Sequence, residues 1–253
     1  MKFEHNSFGK RLKSMLSVDA RRMFTTRFFY IMVGTCFVMP ILILVMTTMA
    51  GGGSAGFEST WQAVSSFSDA GSAMMMDMTT MCNMNLLYFL LSVLVCIFVA
   101  DDFRSGYAKN LFTVRAKKAD YVISKTVICF AGGTCMILAF FVGAVIGGGI
   151  AGLSFDMGAA GVSGIVMCLI TKVLMVGVFV PIYLVISVAA KQRAWLSIMC
   201  SFIVGMFLFM VIPMMTPLDA TIMHVILCLA GGVMFGTGLG AASNLILKKT
   251  SLV

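Results

Sequence analysis

The sequence predicts an all-α polytopic membrane protein, and three observations predict it. The 253-residue chain is 60% hydrophobic and only 11% charged, whereas a soluble domain carries about 25% charged residues. Its mean hydropathy is +1.03. The apolar residues also fall into runs, and a run of roughly 20 is what one helix needs to cross a hydrocarbon core. One transmembrane domain over residues 1–253 is expected, with any energy source or receptor domain in another chain.

Residues 1–27 form the first element. Phe8, Leu12, Met15, Leu16 and Met23 recur near one helical face, with Lys10, Arg11, Lys13 and Arg21 elsewhere, the pattern of an amphipathic helix lying in the membrane surface. Six spans follow, at residues 28–49, 84–100, 121–150, 164–190, 195–213 and 222–247. The first has about 27 residues ahead of it and no small-residue cleavage motif after a short core, so it reads as a span and not as a cleavable signal peptide. The second ends at Asp101 and Asp102. Pro40 and Pro181 are expected to bend the first and fourth spans. Gly143 and Gly147 in the third span, and Gly232, Gly236 and Gly240 in the sixth, have the four-residue spacing that lets helix backbones approach closely. In the long loop after the first span, Phe57, Trp61 and Val64 suggest a short amphipathic helix.

The net charge of +8 is distributed as a topology signal and not as a nucleic-acid patch. Seven Lys/Arg precede the first span, five lie in the loop at residues 101–120, Lys191 and Arg193 separate the fourth and fifth spans, and Lys248 and Lys249 end the sixth. Short loops rich in Lys/Arg stay in the cytoplasm. Both termini are therefore expected there, which an even number of spans allows, with anionic lipid headgroups as natural partners.

Candidate chemistry is sparse. Among the eight cysteines only Cys82 falls outside a predicted span, so no framework of internal disulfides is expected. His224 has no second histidine for a shared metal, and neither a Gly-x-Ser-x-Gly elbow nor a P-loop is present. No catalytic residue and no resident cofactor or metal is assigned. The run "MMMDMTTMCNMN" offers soft thioethers that suit Cu(I), yet 24 methionines pervade the chain, which favours an adaptable apolar surface. Lys172 lies well inside the fourth span, where a charge is costly. With no carboxylate in the spans to pair with it, Lys172 is expected either to snorkel outward or to face a wet cavity or subunit interface on a substrate path.

The charged island "ADDFRSGYAKNLFTVRAKKADYVISK" interrupts the apolar runs with six Lys/Arg and three Asp. Phe103, Tyr107, Leu111 and Val114 recur on one apolar face flanked by Arg104 and Lys109, predicting a short helix across the end of the bundle, with Asp120 capping the third span. The acidic end of the second span, followed by "FRSGYAKNLFTVRAKKADYVISK" with Gly106, Arg115, Tyr121 and Lys125 spaced through it, resembles the first cytoplasmic loop of ABC-2 type transporter permeases. Length, span number and amphipathic entry helix resemble that family over nearly the whole chain. Two features depart from its pattern: Val114 stands where a proline often precedes the Arg115 position, and "PMMTPLDAT" is short for the family's re-entrant segment.

The resemblance implies a permease subunit of an ATP-driven exporter in a bacterial-type plasma membrane. It implies a separate ABC ATPase subunit carrying ATP and Mg, and a second permease copy. It assigns ATPase docking to a coupling helix containing Phe103, Arg104, Gly106, Tyr107, Lys109, Asn110, Leu111 and Val114. Small permeases of this architecture include exporters of amphipathic peptides such as phenol-soluble modulins. The mostly apolar spans agree with an amphipathic or hydrophobic peptide cargo, because desolvating a hydrophilic one against apolar walls costs several kcal/mol. A lipid or hydrophobic drug, or secondary transport, is the alternative.

Overall fold

In the computed structural model, residues 8–50, 59–61, 84–113, 117–157, 161–209, 212, 215–217 and 220–249 are described. Among them the chain is all-α. The helices are α1 (Phe8–Thr25), α2 (Arg27–Ala50), α3 (Leu87–Arg104), α4 (Tyr107–Thr113), α5 (Lys118–Ala151), α6 (Gly161–Ala190), α7 (Ala194–Phe209) and α8 (Ile222–Lys249). A 3₁₀ turn, Met84–Leu86, leads into α3. Among the described residues five helices are long and apolar enough to cross a membrane. The exception among the expected spans is α7, whose 16 residues make a rod of about 24 Å.

The packing follows from small side chains where helices meet. α2 lies along α5, and a Cβ on Gly143 would run into the Phe37 carbonyl, while one on Gly147 would sit 2.8 Å from Ile41 Cα. α8 packs on α6, where a Cβ on Gly232 would lie 3.9 Å from Gly177 Cα. Gly236, expected in the same close contact, instead has open space beside it. α3 and α6 supply much of the core, with Tyr88, Leu91, Leu94, Phe179 and Tyr183 among their buried residues. Both internal prolines lie inside continuous helices, Pro40 in α2 and Pro181 in α6.

Three long-range bonds gather the charged segments at one end of the bundle. Arg104 Nε donates to the Gln192 carbonyl at 3.1 Å, Lys118 Nζ to the Leu247 carbonyl at 2.6 Å, and Arg11 Nε to Asp120 at 3.3 Å. The start of α1, the α3–α5 connection, the α6–α7 turn and the end of α8 are therefore neighbours. At the other end Thr60 N donates to the Ser154 carbonyl and Trp61 Nε1 to the Phe155 carbonyl. Trp61 is buried there, stacked on Phe141. Phe57, Val64, Cys82 and the methionines at 74–81 lie outside the described residues.

Two local expectations are corrected. The island is not one helix: α3 runs past Asp101 and Asp102 to Arg104, and Gly106, at φ +71°, breaks it from α4. Such a left-handed residue is strained for anything with a Cβ. Asp120 does not cap α5. The N-cap is Lys117, without a side-chain cap bond, and Asp120 sits in the first turn with its carboxylate accepting from Arg11.

Candidate functional site

The N-terminal helix is amphipathic, and its inward stripe carries an acid. Met15, Asp19 and Met23 are its buried residues, one helical turn apart, so the periodicity that buries the methionines also buries Asp19. α1 packs against α5. There Lys125 Nζ lies 2.9 Å from Asp19 Oδ1, and Ser124 Oγ donates to Asp19 Oδ2 at 2.6 Å.

The same ammonium is 2.7 Å from Asp102 Oδ2, in the last turn of α3. Asp102 is held twice more: Tyr121 OH donates to it at 2.8 Å, and Arg22 of α1 at 2.5 Å. Asp19, Asp102 and Lys125 are fully buried. Two carboxylates and two cations thus form a closed, charge-balanced network from α1, α3 and α5. Burying charges costs several kcal/mol each unless they are paired and hydrogen-bonded, and here every carboxylate has at least two donors. An aromatic wall shields it, with Lys125 Nζ 3.9 Å from the Phe98 ring centroid.

α4 joins through Tyr107, whose ring lies 4.0 Å from the Arg22 guanidinium carbon. Burial would depress Arg22, but the Asp102 carboxylate and its hydrogen bond outweigh burial, and the net shift is upward. Burial, then the Asp19 and Asp102 carboxylates, push the Tyr107 phenol up. Both groups keep their usual protonation, a charged guanidinium against a neutral ring. Phe112 of α4 meets Tyr121 edge-on at 5.5 Å.

This arrangement turns the apolar side of the island toward the bundle. Phe103 and Ala108 are buried, and Tyr107 and Leu111 are half-buried against the bundle. The outward side chains are Arg104, Lys109, Asn110 and Thr113, while Val114 lies outside the described residues. Asp19, Arg22, Asp102 and Lys125 were not singled out from the sequence as a set. Asp19 gave a signal, as a lone acid on an apolar stripe. Lys125 gave another, because it lies more than a turn inside an apolar helix.

A second polar node sits far from the first. Lys172 is fully buried in α6. Its Nζ donates to Asn85 Oδ1 at 2.7 Å and Thr216 Oγ1 at 3.1 Å, and Tyr88 OH donates to its carbonyl at 2.7 Å. Asn85 precedes α3, so Lys172 is level with the end of α3 remote from Asp102. Met84–Arg104 is 21 residues long, about 31 Å of helix. Among the described residues no group of His, Cys, Asp and Glu is arranged to hold a metal.

A model of the ABC-2 family transporter proteins matches residues 25–208. The chain belongs to the ABC-2 transporter family. No significant match to a curated protein or to a solved structure accompanies it. The protein is accordingly a multi-pass membrane permease component of an ABC transporter, a class that works with a partner ATPase subunit. The matched region holds all of α3, α4 and α5, and with them the Asp102, Tyr107 and Lys125 corner of the network; Asp19 and Arg22 of the permease lie just ahead of it.

Proposed function

We propose that this permease is the membrane half of an ATP-driven exporter of amphipathic or hydrophobic peptides, working as two copies with two ATPase subunits that carry ATP and Mg. The observation that carries the mechanical part is the ion network. A push delivered to α4 from the cytoplasm reaches α1 through Tyr107 on Arg22, and reaches α3 and α5 through Asp102 and Lys125. Packed, paired groups transmit a displacement instead of absorbing it. ATP binding closes the ATPases, α4 moves with them, and the helices change from inward to outward opening. The topology in this reading has six crossings, with both termini and the basic loops in the cytoplasm of a bacterial-type plasma membrane.

The peptide part rests on what the interior lacks among the described residues. Apart from the Lys172 node and the ion network, buried hydroxyls such as Thr171 and Ser92 bond their own helix. A sugar or small ion would find few partners, and desolvating it there costs several kcal/mol. Secondary transport needs ion-binding carboxylates near the midplane, whereas Asp19 and Asp102 lie at the charged end, already paired. A lipid or hydrophobic drug meets the same apolar walls and is the second reading.

ATPase stimulation in a reconstituted complex tests both. Cationic amphipathic helical peptides are expected to stimulate hydrolysis, and scrambled peptides of equal composition are not. Equal response to both peptide sets, or response to lipids alone, rejects the peptide reading.

A further inference from the structure

We infer that the ATPase docks on a composite basic surface, α4 together with the α6–α7 turn at residues 191–193, and that the groove it presents there is acidic. The inference rests on the proposed exporter reading and adds to it a second loop and the chemistry of the partner.

The first observation is a clip. Arg104 Nε donates to the Gln192 carbonyl at 3.1 Å, fastening the α6–α7 turn to the end of α3, and α4 begins three residues later at Tyr107. Two loops far apart in sequence are thereby one surface. The second is a segregation of charge. Of the described carboxylates at this end, Asp19, Asp102 and Asp120 are buried in internal ion pairs. Asp101 is exposed but lines the α1 side with Arg22 and Thr26. Outward on the end of α3, α4 and the α6–α7 turn are Arg104, Lys109, Lys191 and Arg193, with uncharged Asn110 and Gln192 among them and Lys117 exposed nearby. Internal pairing has consumed the acids that would otherwise neutralise the patch, so its cations are available to a partner.

The third observation is local. Lys191 closes α6 with φ 55°, its N–H donating to the Ser187 carbonyl at 3.0 Å. Glycine or asparagine is the usual residue at such a helix end, and a left-handed lysine there carries a steric cost. A lysine held there at that cost, fully outward, is placed for what lies outside the bundle. Complementary charge sets encounter rate, register and salt dependence more than it sets maximal affinity, which fits a surface that must hold its partner through a cycle of movement.

The probe is the ABC ATPase subunit that assembles with the wild-type permease in the stimulation assay. Lys191→Glu/Arg193→Glu should weaken its association about tenfold or more at low salt, with the gap closing as added salt screens the charges. Lys248→Glu/Lys249→Glu, an equal charge change at the end of α8, should have little effect. Because a charge reversal can disturb the turn itself, Lys191→Gln/Arg193→Gln is measured beside it and should give an intermediate loss at unchanged thermal stability. Wild-type affinity in the Glu variant at low salt overturns the inference. So does an equal loss in the α8 variant, which would assign the charges to anionic headgroups. Failure of the wild-type permease to assemble with any ABC ATPase removes the exporter reading itself, and the docking surface with it.

Discussion

Lys125 and Lys172 have the same side chain and are both fully buried, but one faces two carboxylates and the other two neutral oxygens. Removing one partner of a buried pair costs about 3–5 kcal/mol, because it strands the other charge. Lys125→Met is therefore expected to destabilise the permease severely, by loss of detergent-solubilised fold at temperatures the wild type survives. Asp19→Asn with Lys125→Met should cost less than the two single changes added together, since residues in one network couple. Additive losses in a thermal-stability series would show that Asp19 and Lys125 do not act as a pair. Lys172→Met strands no carboxylate among the described residues, so its thermal loss should be the smaller of the two lysine changes.

At the scale of elements, the close backbone-to-backbone approaches at described glycines lie between α2 and α5. Gly143→Leu must force the Phe37 backbone away and is expected to cost 2 kcal/mol or more, overpacking being worth about 1–3 kcal/mol at ordinary core sites. Gly236→Ala, in open space, should be neutral or slightly stabilising, because alanine is the better helix former. Equal melting temperatures for both variants would refute the packing account. The sequence spacing marked Gly143, Gly147 and Gly236 alike, since a four-residue repeat says which residues share a face but not which face meets a neighbour. The island shows the same limit. Periodicity grouped Phe103, Tyr107, Leu111 and Val114, yet the turn at Ser105 and Gly106 resets the phase, and the apolar side looks toward the bundle. Helix existence was legible because composition and run length decide it; the buried ion pairs were not, because Asp19 and Lys125 are 106 residues apart.

For the whole molecule the open quantity is the number of crossings, and α7 decides it. Its 16 residues fall short of a hydrocarbon core, but the chain it belongs to travels the bundle's length. Arg193 starts beside the charged end, where its neighbour Gln192 accepts from Arg104. Gly205 comes against Phe89 and Tyr183 part-way along, and Thr216 meets Lys172 and, through it, Asn85. α8 then returns to the charged end, where Lys118 holds Leu247. The described residues thus reach from Arg104's end to Asn85's end, the length of α3, so the α7 segment should cross. In a cysteine-free background, Gln192→Cys and Lys249→Cys should both resist a membrane-impermeant maleimide in intact cells and react in inverted vesicles, while Asp156→Cys reacts in intact cells. If Gln192→Cys and Lys249→Cys label from opposite sides, five crossings replace six. The two termini could not then share a compartment, and the basic loops would no longer form one cytoplasmic surface for an ATPase.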